Sequence, residues 1–110
     1  MVKLSPTDAE MLRKLAEYSG IDPVWKLKCV LSGRLLREPE MSTSDAVKMI
    51  TECFDQRIRE TQSLIEVQRG ALKSTDEPDI ILEKIRTLTT FIKEYEQNKA
   101  TFVAMLKKYE

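Results

Sequence analysis

The sequence has no histidine and only two cysteines among its 110 residues. Histidine is the side chain used most often for acid–base catalysis at neutral pH and for binding metals. Its absence makes both acid–base catalysis and metal binding less expected for this protein. Cys29 and Cys53 have no further Cys or His with which to complete a metal site. Because free cysteine behaves as a small hydrophobe, we expect two reduced thiols in apolar surroundings, with one disulfide between them as the alternative. We therefore expect no metal and no cofactor.

The chain also lacks an excess of charge of either sign, with 18 basic and 18 acidic residues. Zero net charge argues against strong general attraction to nucleic acid or to anionic lipid. No apolar run approaches the roughly 18 residues that a membrane span needs, and no apolar stretch of signal-peptide length follows the N-terminus. We expect a soluble intracellular protein, in the cytoplasm, with no membrane insertion.

Glycine is scarce, with three residues, and none forms a phosphate-binding loop, an EF-hand or a nucleophile elbow. A cysteine nucleophile would need a histidine partner, which the sequence does not contain. A chain of this length is expected to form a single domain, residues 1–110, with one modest core and little room for a catalytic cavity. We predict that the protein is not an enzyme and has no catalytic residue.

Helix starts and stops are clearly marked in the first third of the chain. The segment Ser5–Asp8 combines a capping serine, a proline suited to the first turn and an acid at the capping-box position. Ser19–Gly20 is typical of a left-handed helix end. Asp22–Pro23 repeats the start signal, and the second helix runs to Gly33 or to about Arg37. Residues 6–37 are therefore predicted to be a pair of short helices.

The remaining residues, 44–110, carry two long apolar stripes with alternating steps of three and four, which is the pattern of amphipathic helices. A turn at Ser74–Pro78 separates them and makes them antiparallel neighbours. The stripes are Val47, Ile50, Phe54, Ile58, Thr61, Ile65, Gln68 and Leu72, then Ile81, Ile85, Leu88, Ile92, Tyr95, Lys99, Phe102, Leu106 and Tyr109. Lys99 alone interrupts the apolar seam. We predict an all-α fold in which the short pair precedes a long antiparallel helical hairpin, as a coiled-coil-like three- or four-helix bundle.

These stripes are wider than the seam of two helices requires. Met49, Cys53, Leu64, Phe91 and Met105 add apolar surface beside them. Each short helix spans about 20 Å and each long helix about 45 Å, so the short pair covers roughly half of the hairpin. The uncovered half is predicted to dock onto a protein partner or a second copy, or else to be less apolar at its tip.

The second predicted helix is apolar on two faces, since Trp25, Cys29 and Leu36 lie roughly 100° from the face of Val24 and Leu27. Tryptophan is the residue most enriched at binding hot spots, and the same stretch is basic without an acid between Pro23 and Arg37. The candidate partner-binding residues are Trp25, Lys26, Lys28, Cys29, Arg34, Leu36 and Arg37. The alternative is that Trp25 belongs to the core and the basic groups form a solvated face.

The segment Leu15–Ile21, followed by Val30–Gly33, resembles the helix-turn-helix of lactose-repressor-type DNA-binding domains. Ala16 matches the small residue that lets the helices approach, Gly20 the turn and Ile21 the corner residue. The resemblance covers residues 12–55 at most. It implies a small DNA-binding transcriptional regulator, dimerised through its C-terminal helix.

The second helix departs from that family's pattern, because Lys26 lies near a position that is normally apolar and the loop at residues 33–42 is longer. A DNA reader would need an exposed face of Lys26 and Lys28, with Trp25 turned inward. The leading hypothesis is therefore a non-catalytic helical protein–protein interaction module, an adaptor, assembly factor or subunit of a larger complex. The DNA-binding regulator is the alternative.

Overall fold

A computed structural model describes residues 4–38 and 40–109 and contains four α-helices. They are α1 (Pro6–Ala16), α2 (Pro23–Arg37), α3 (Thr43–Ala71) and α4 (Pro78–Lys107). Neither described range contains a strand, and the prediction of an all-α fold is confirmed. Within these ranges, every helix is too short or too polar to cross a membrane.

The helices begin where the sequence predicts, because side chains satisfy the free amides of their first turns. Ser5 Oγ accepts a hydrogen bond from the Asp8 amide at 3.2 Å, and Asp22 Oδ1 accepts one from the Val24 amide at 2.9 Å. Ser42 caps α3 in the same way. The helix α4 differs, since it starts without a side-chain cap and relies on the proline at its first position.

The predicted left-handed end at Gly20 is wrong, because no described glycine has a positive φ. The helix α1 already ends at Ala16, and the following residue stays in the right-handed region. Gly20 has a different role: the Tyr18 side chain folds over its backbone, and a Cβ at position 20 would overlap the Tyr18 hydroxyl. This close approach, rather than a left-handed conformation, explains the glycine.

One apolar cluster joins α1 and α2 to one half of α3 and α4. Phe54 is fully buried within it, and its ring lies 6.3 Å from Tyr95 and 6.0 Å from Phe102, measured between ring centroids. The cluster consists of Leu12, Val24, Leu27, Leu31, Leu35, Ala46, Met49, Ile50, Phe54, Tyr95, Phe102, Met105 and Leu106. All four helices contribute to it, so α1 and α2 are packed onto the long helices by hydrophobic burial.

The long helices α3 and α4 pack closely along the two predicted stripes. Every stripe residue is buried or half-buried. Thr43 Oγ1 donates to the Tyr109 carbonyl at 3.4 Å, at the first residue of α3 and just beyond the end of α4. Further along, Lys99 Nζ lies 2.7 Å from Asp55 Oδ1, so the one charged residue in the seam has an acidic partner across it.

The start of α1 and the residues just after α4 meet at the base of this packing. The Tyr109 hydroxyl accepts a hydrogen bond from the Ser5 amide at 2.9 Å and donates one to Asp8 Oδ2. Lys108 Nζ lies 3.0 Å from the same oxygen. The bond from Tyr109 and the contact with Lys108 hold the pKa of Asp8 below its ordinary value. In a capping box the acid would reach back to the Ser5 amide itself; here the Tyr109 hydroxyl lies between the two groups.

The apolar cluster stops about halfway along the long helices. On the side of the α3–α4 connection, its last partly buried members are Ile58 and Phe91. We call residues 59–71 of α3 and 78–90 of α4 the distal half. It accounts for much of the longest dimension of the molecule, which measures 55 × 25 × 17 Å. In the distal half, α3 and α4 pack on each other without the layer that α1 and α2 add to the other half.

Replacing Ser32 with alanine is expected to stabilise the fold by about 1 kcal/mol. Ser32 is fully buried on α2, and within the described ranges its hydroxyl has no hydrogen-bond partner. Urea unfolding measures the change in free energy. Ser63→Ala is the control, because that exposed hydroxyl already donates to the Arg59 carbonyl at 3.1 Å. An unchanged or lowered stability of Ser32→Ala would contradict the interpretation.

Candidate docking surfaces

Trp25 lies at the surface of the α1–α2 pair with 42% of its area exposed. The Tyr18 ring packs against it, with 5.6 Å between centroids, and Lys28 Nζ lies 3.7 Å from the centre of the Trp25 ring. That distance is within the range of a cation–π interaction. Burial lowers the pKa of Lys28, and the charges of Asp22 and Glu94 oppose this effect. The indole is therefore held in place by an aromatic ring and an ammonium group while much of it faces solvent.

Of the other predicted partner-binding residues, Lys26 and Lys28 lie beside Trp25, and the rest lie elsewhere on α2. Cys29 turns toward α1, where its Sγ donates to the Ala16 carbonyl at 3.0 Å, and Leu36 packs against the apolar cluster. Both cysteines of the chain are free thiols. The exposed basic residues are Lys26, Arg34 and Arg37, and Arg34 Nε lies 3.5 Å from a Glu38 carboxylate oxygen. Arg34 and Arg37 are about 14–18 Å along α2 from Trp25.

A shallow groove of about 830 Å³ runs beside Trp25 along α1. Met11, Leu15 and Trp25 form its apolar lining, and Arg13 and Lys14 lie at its edge. Arg13 is paired with Glu10 at 3.0 Å. The sequence pattern indicated Trp25 as an anchor here but not the residues of α1 that complete the groove.

A second groove, of about 610 Å³, lies on the distal half, and we call it the distal groove. Leu64 and Ile80, which are 52% and 51% exposed, face each other across it. Its full lining is Leu64, Gln68, Ile80, Glu83, Lys84, Thr87 and Leu88. Val67 is 65% exposed and lies three residues from Leu64, on the same side of α3. Exposed leucine, isoleucine and valine side chains thus adjoin one another along this part of the molecule.

Sequence reasoning identified Leu64 as surplus apolar surface but missed Ile80 and Val67. Their signal was present, since each is an apolar residue next to a seam position, Ile81 in α4 and Gln68 in α3. The helical period shows that such a residue lies beside the seam, but it does not show whether another helix packs over that flank. The sequence pattern therefore could not place Ile80 and Val67 in or beside an open groove.

The opposite side of the long helices carries a third groove, also of about 610 Å³. Val47, Ile58 and Val103 line it together with the Asp55–Lys99 ion pair. Glu96 of α4 also lines this third groove. Leu82, which is 47% exposed, lies about four helical turns before Glu96 and therefore on the same side of α4. Leu82 and Ile80 are therefore similarly exposed residues on opposite flanks of one helix.

Within residues 4–38 and 40–109, no three or more His, Cys, Asp or Glu side chains gather as metal ligands would. Comparisons of the chain with protein-family models, with curated proteins and with solved structures find no match.

Proposed function

We propose that this chain is a non-catalytic helical protein–protein interaction module, serving as an adaptor, an assembly factor or a subunit of a larger complex. The observation that carries the proposal is the distal groove, where Leu64 and Ile80 are each about half exposed. Contiguous apolar surface of this kind marks interaction sites on proteins more often than it occurs by chance on monomers. The protein docks by burying this surface against a partner.

The proposed docking element is an antiparallel hairpin of α3 and α4. The order of contacts supports it: Thr43 meets Tyr109, Asp55 meets Lys99, and the later Leu64 shares a groove with the earlier Leu88. Position along α3 increases as position along α4 decreases. Such a hairpin presents its distal half at the end of the molecule away from α1 and α2, where a partner has access to both long helices.

Burial of apolar side chains at and beside the distal groove contributes to association. Completing the burial of Leu64, Val67 and Ile80, each half to two-thirds exposed, contributes about 1 kcal/mol per side chain. The aliphatic stem of Lys84 in the groove lining adds apolar area while its ammonium group stays in water. In this proposal, hydrophobic burial supplies the binding free energy. The charged side chains at the rim of the groove, Glu83 and Lys84, influence which partner binds and how fast it associates.

The Trp25 surface is a second contact in this proposal. Tyr18 and Lys28 pack against the Trp25 ring, and such contacts reduce the conformational entropy that an exposed tryptophan loses on binding. The exposed Lys26 beside it favours a partner with acidic side chains.

The DNA-binding alternative stays a prediction with less support. It requires Trp25 to turn inward and Lys28 to face solvent. In the structure 42% of Trp25 is exposed, and Lys28 is half-buried over its ring.

Site-specific photo-crosslinking in the native cells tests the proposed function. A benzoylphenylalanine at position 64 is expected to give discrete crosslinked products several-fold above one at position 63, which is exposed. The Ile80→Glu substitution on the facing helix should abolish the products, because it places a charge in the same groove. The Leu82→Glu substitution on the opposite flank should leave them unchanged. Equal labelling at positions 63 and 64 would contradict the proposal.

A further inference from the structure

We propose that the distal groove is occupied by the distal half of a second copy of this chain, in a two-fold dimer that completes a four-helix bundle. This inference rests on the proposed function, since it identifies the partner of the same docking surface.

The distal groove continues the flank of the long helices that α1 and α2 cover elsewhere. The α3 residues that line the groove between α2 and α3 include Cys53, Arg57 and Glu60. Residues spaced four and three apart lie on one face of a helix, and continuing this spacing from Glu60 reaches Leu64 and then Val67. Each step stays on one face of the helix. The face of α3 that borders α2 along this groove, where Arg57 and Glu60 stay exposed, therefore continues into the face that carries Leu64 and Val67.

The same continuity holds on α4. Asn98, Thr101 and Met105 line the space between α4 and the first two helices. Steps of four and three back from Asn98 pass through Phe91 and Thr87 to Ile80. In the core half, α1 and α2 supply a further helical layer on this flank. The distal half needs an equivalent layer of about 20 Å, the length of its own 13-residue helix segments.

The distal half of a second copy fits this requirement. It has the same length, and it presents the same apolar groove, so each copy can cover the other through a self-complementary contact. Two helices from each copy then surround one core, which is the arrangement of a four-helix bundle. A single partner helix would cover less of a groove whose apolar residues come from both α3 and α4.

Charge favours self-association over binding to a strongly charged partner. The formal net charge of the chain is zero, so two copies do not repel each other at neutral pH. The lining of the distal groove includes both Glu83 and Lys84. Glu83 pairs with Arg86 of its own helix at 2.8 Å, and a two-fold axis would bring Lys84 of each copy toward this pair on the other.

The available area predicts a weak dimer. A face of two helices about 20 Å long and about 20 Å wide corresponds to roughly 400 Å² per copy, or about 800 Å² in total. This total lies below the roughly 1,000 Å² that a stable specific interface usually exceeds, so the contact is of the weak, transient class. We therefore expect dissociation in the micromolar range and a measurable equilibrium between monomer and dimer.

Sedimentation equilibrium on the purified 110-residue chain tests the inference between about 1 and 500 µM. The apparent mass should rise from 12.7 kDa toward twice that value as concentration increases. Ile80→Glu is expected to raise the dissociation constant by at least roughly ten-fold, because it buries a charge in the dimer. Leu82→Glu is the matched control, with similar exposure on the opposite flank, and should leave the constant unchanged. Far-UV circular dichroism checks that each variant keeps its helices.

Two results would overturn the second-copy inference. The first is a monomer at every concentration; discrete crosslinks from position 64 in cells would then still support the proposed function with a different partner. The second is a dimer that Leu82→Glu weakens and Ile80→Glu does not, since it would place the contact on the opposite side of the long helices.

Discussion

Replacing Phe54 with alanine is expected to lower the free energy of unfolding by about 3–5 kcal/mol. Phe54 is fully buried, and its ring contacts those of Tyr95 and Phe102 on α4. The substitution removes this aromatic packing and leaves a cavity at the centre of the apolar cluster. Total stabilities of small domains are about 5–15 kcal/mol, so a large part of the fold's stability depends on this side chain.

Urea unfolding followed by circular dichroism measures this loss. Val30→Ala is the control: Val30 is 61% exposed on α2, outside the proposed docking surfaces, and its replacement should change the stability by no more than about 0.5 kcal/mol. A loss below about 1.5 kcal/mol for Phe54→Ala would mean that the cluster is less tightly packed than its geometry indicates.

Removing the Asp8 carboxylate with Asp8→Asn is expected to cost about 2 kcal/mol at neutral pH. Asp8 accepts a hydrogen bond from the Tyr109 hydroxyl and lies 3.0 Å from Lys108 Nζ, and these contacts join the start of α1 to the two residues that follow α4. Tyr109→Phe should have a similar effect, since it removes the acceptor of the Ser5 amide as well as the donor to Asp8.

The stability difference between the native chain and Asp8→Asn should depend on pH. The pKa of Asp8 is lowered in the folded state, so the unfolded chain binds more protons near the ordinary value of 3.8. The stabilisation is therefore complete above that value and is lost as the pH falls through the lowered pKa. Urea midpoints at pH 7, 5 and 3 measure it, with Asp76→Asn in the exposed α3–α4 turn as the control. A difference that grows on acidification would contradict this linkage.

The contact between Asp8 and Tyr109 could not be predicted from the sequence. Both residues were visible, Asp8 as a capping acid and Tyr109 as the last member of a helical stripe, but they are 101 positions apart. Local spacing predicts which face a side chain takes and not which distant residue it meets. The same reason hid the Asp55–Lys99 pair, although the interruption of the apolar seam at Lys99 was evident.

The helices and their starts are the part that local chemistry determines. Ser5 and Asp22 satisfy amides within three residues of themselves, and the stripes of α3 and α4 repeat with the helical period, so these features are encoded over short distances. The left-handed conformation at Gly20 failed as a prediction because the Tyr18 side chain, rather than the helix end, sets the geometry there.

The sequence alone predicts four helices, the residues of the seam between α3 and α4, and a surplus of apolar surface beside that seam. Only the tertiary structure decides where that surplus lies. Ile80 and Leu82 flank the same seam residue and are similarly exposed, yet Ile80 lines the distal groove together with Leu64 of α3, and Leu82 lies on the opposite side of α4. The difference arises because the packing of α3 against α4 decides which flanking residues share a groove, and this packing depends on contacts between residues far apart in the chain.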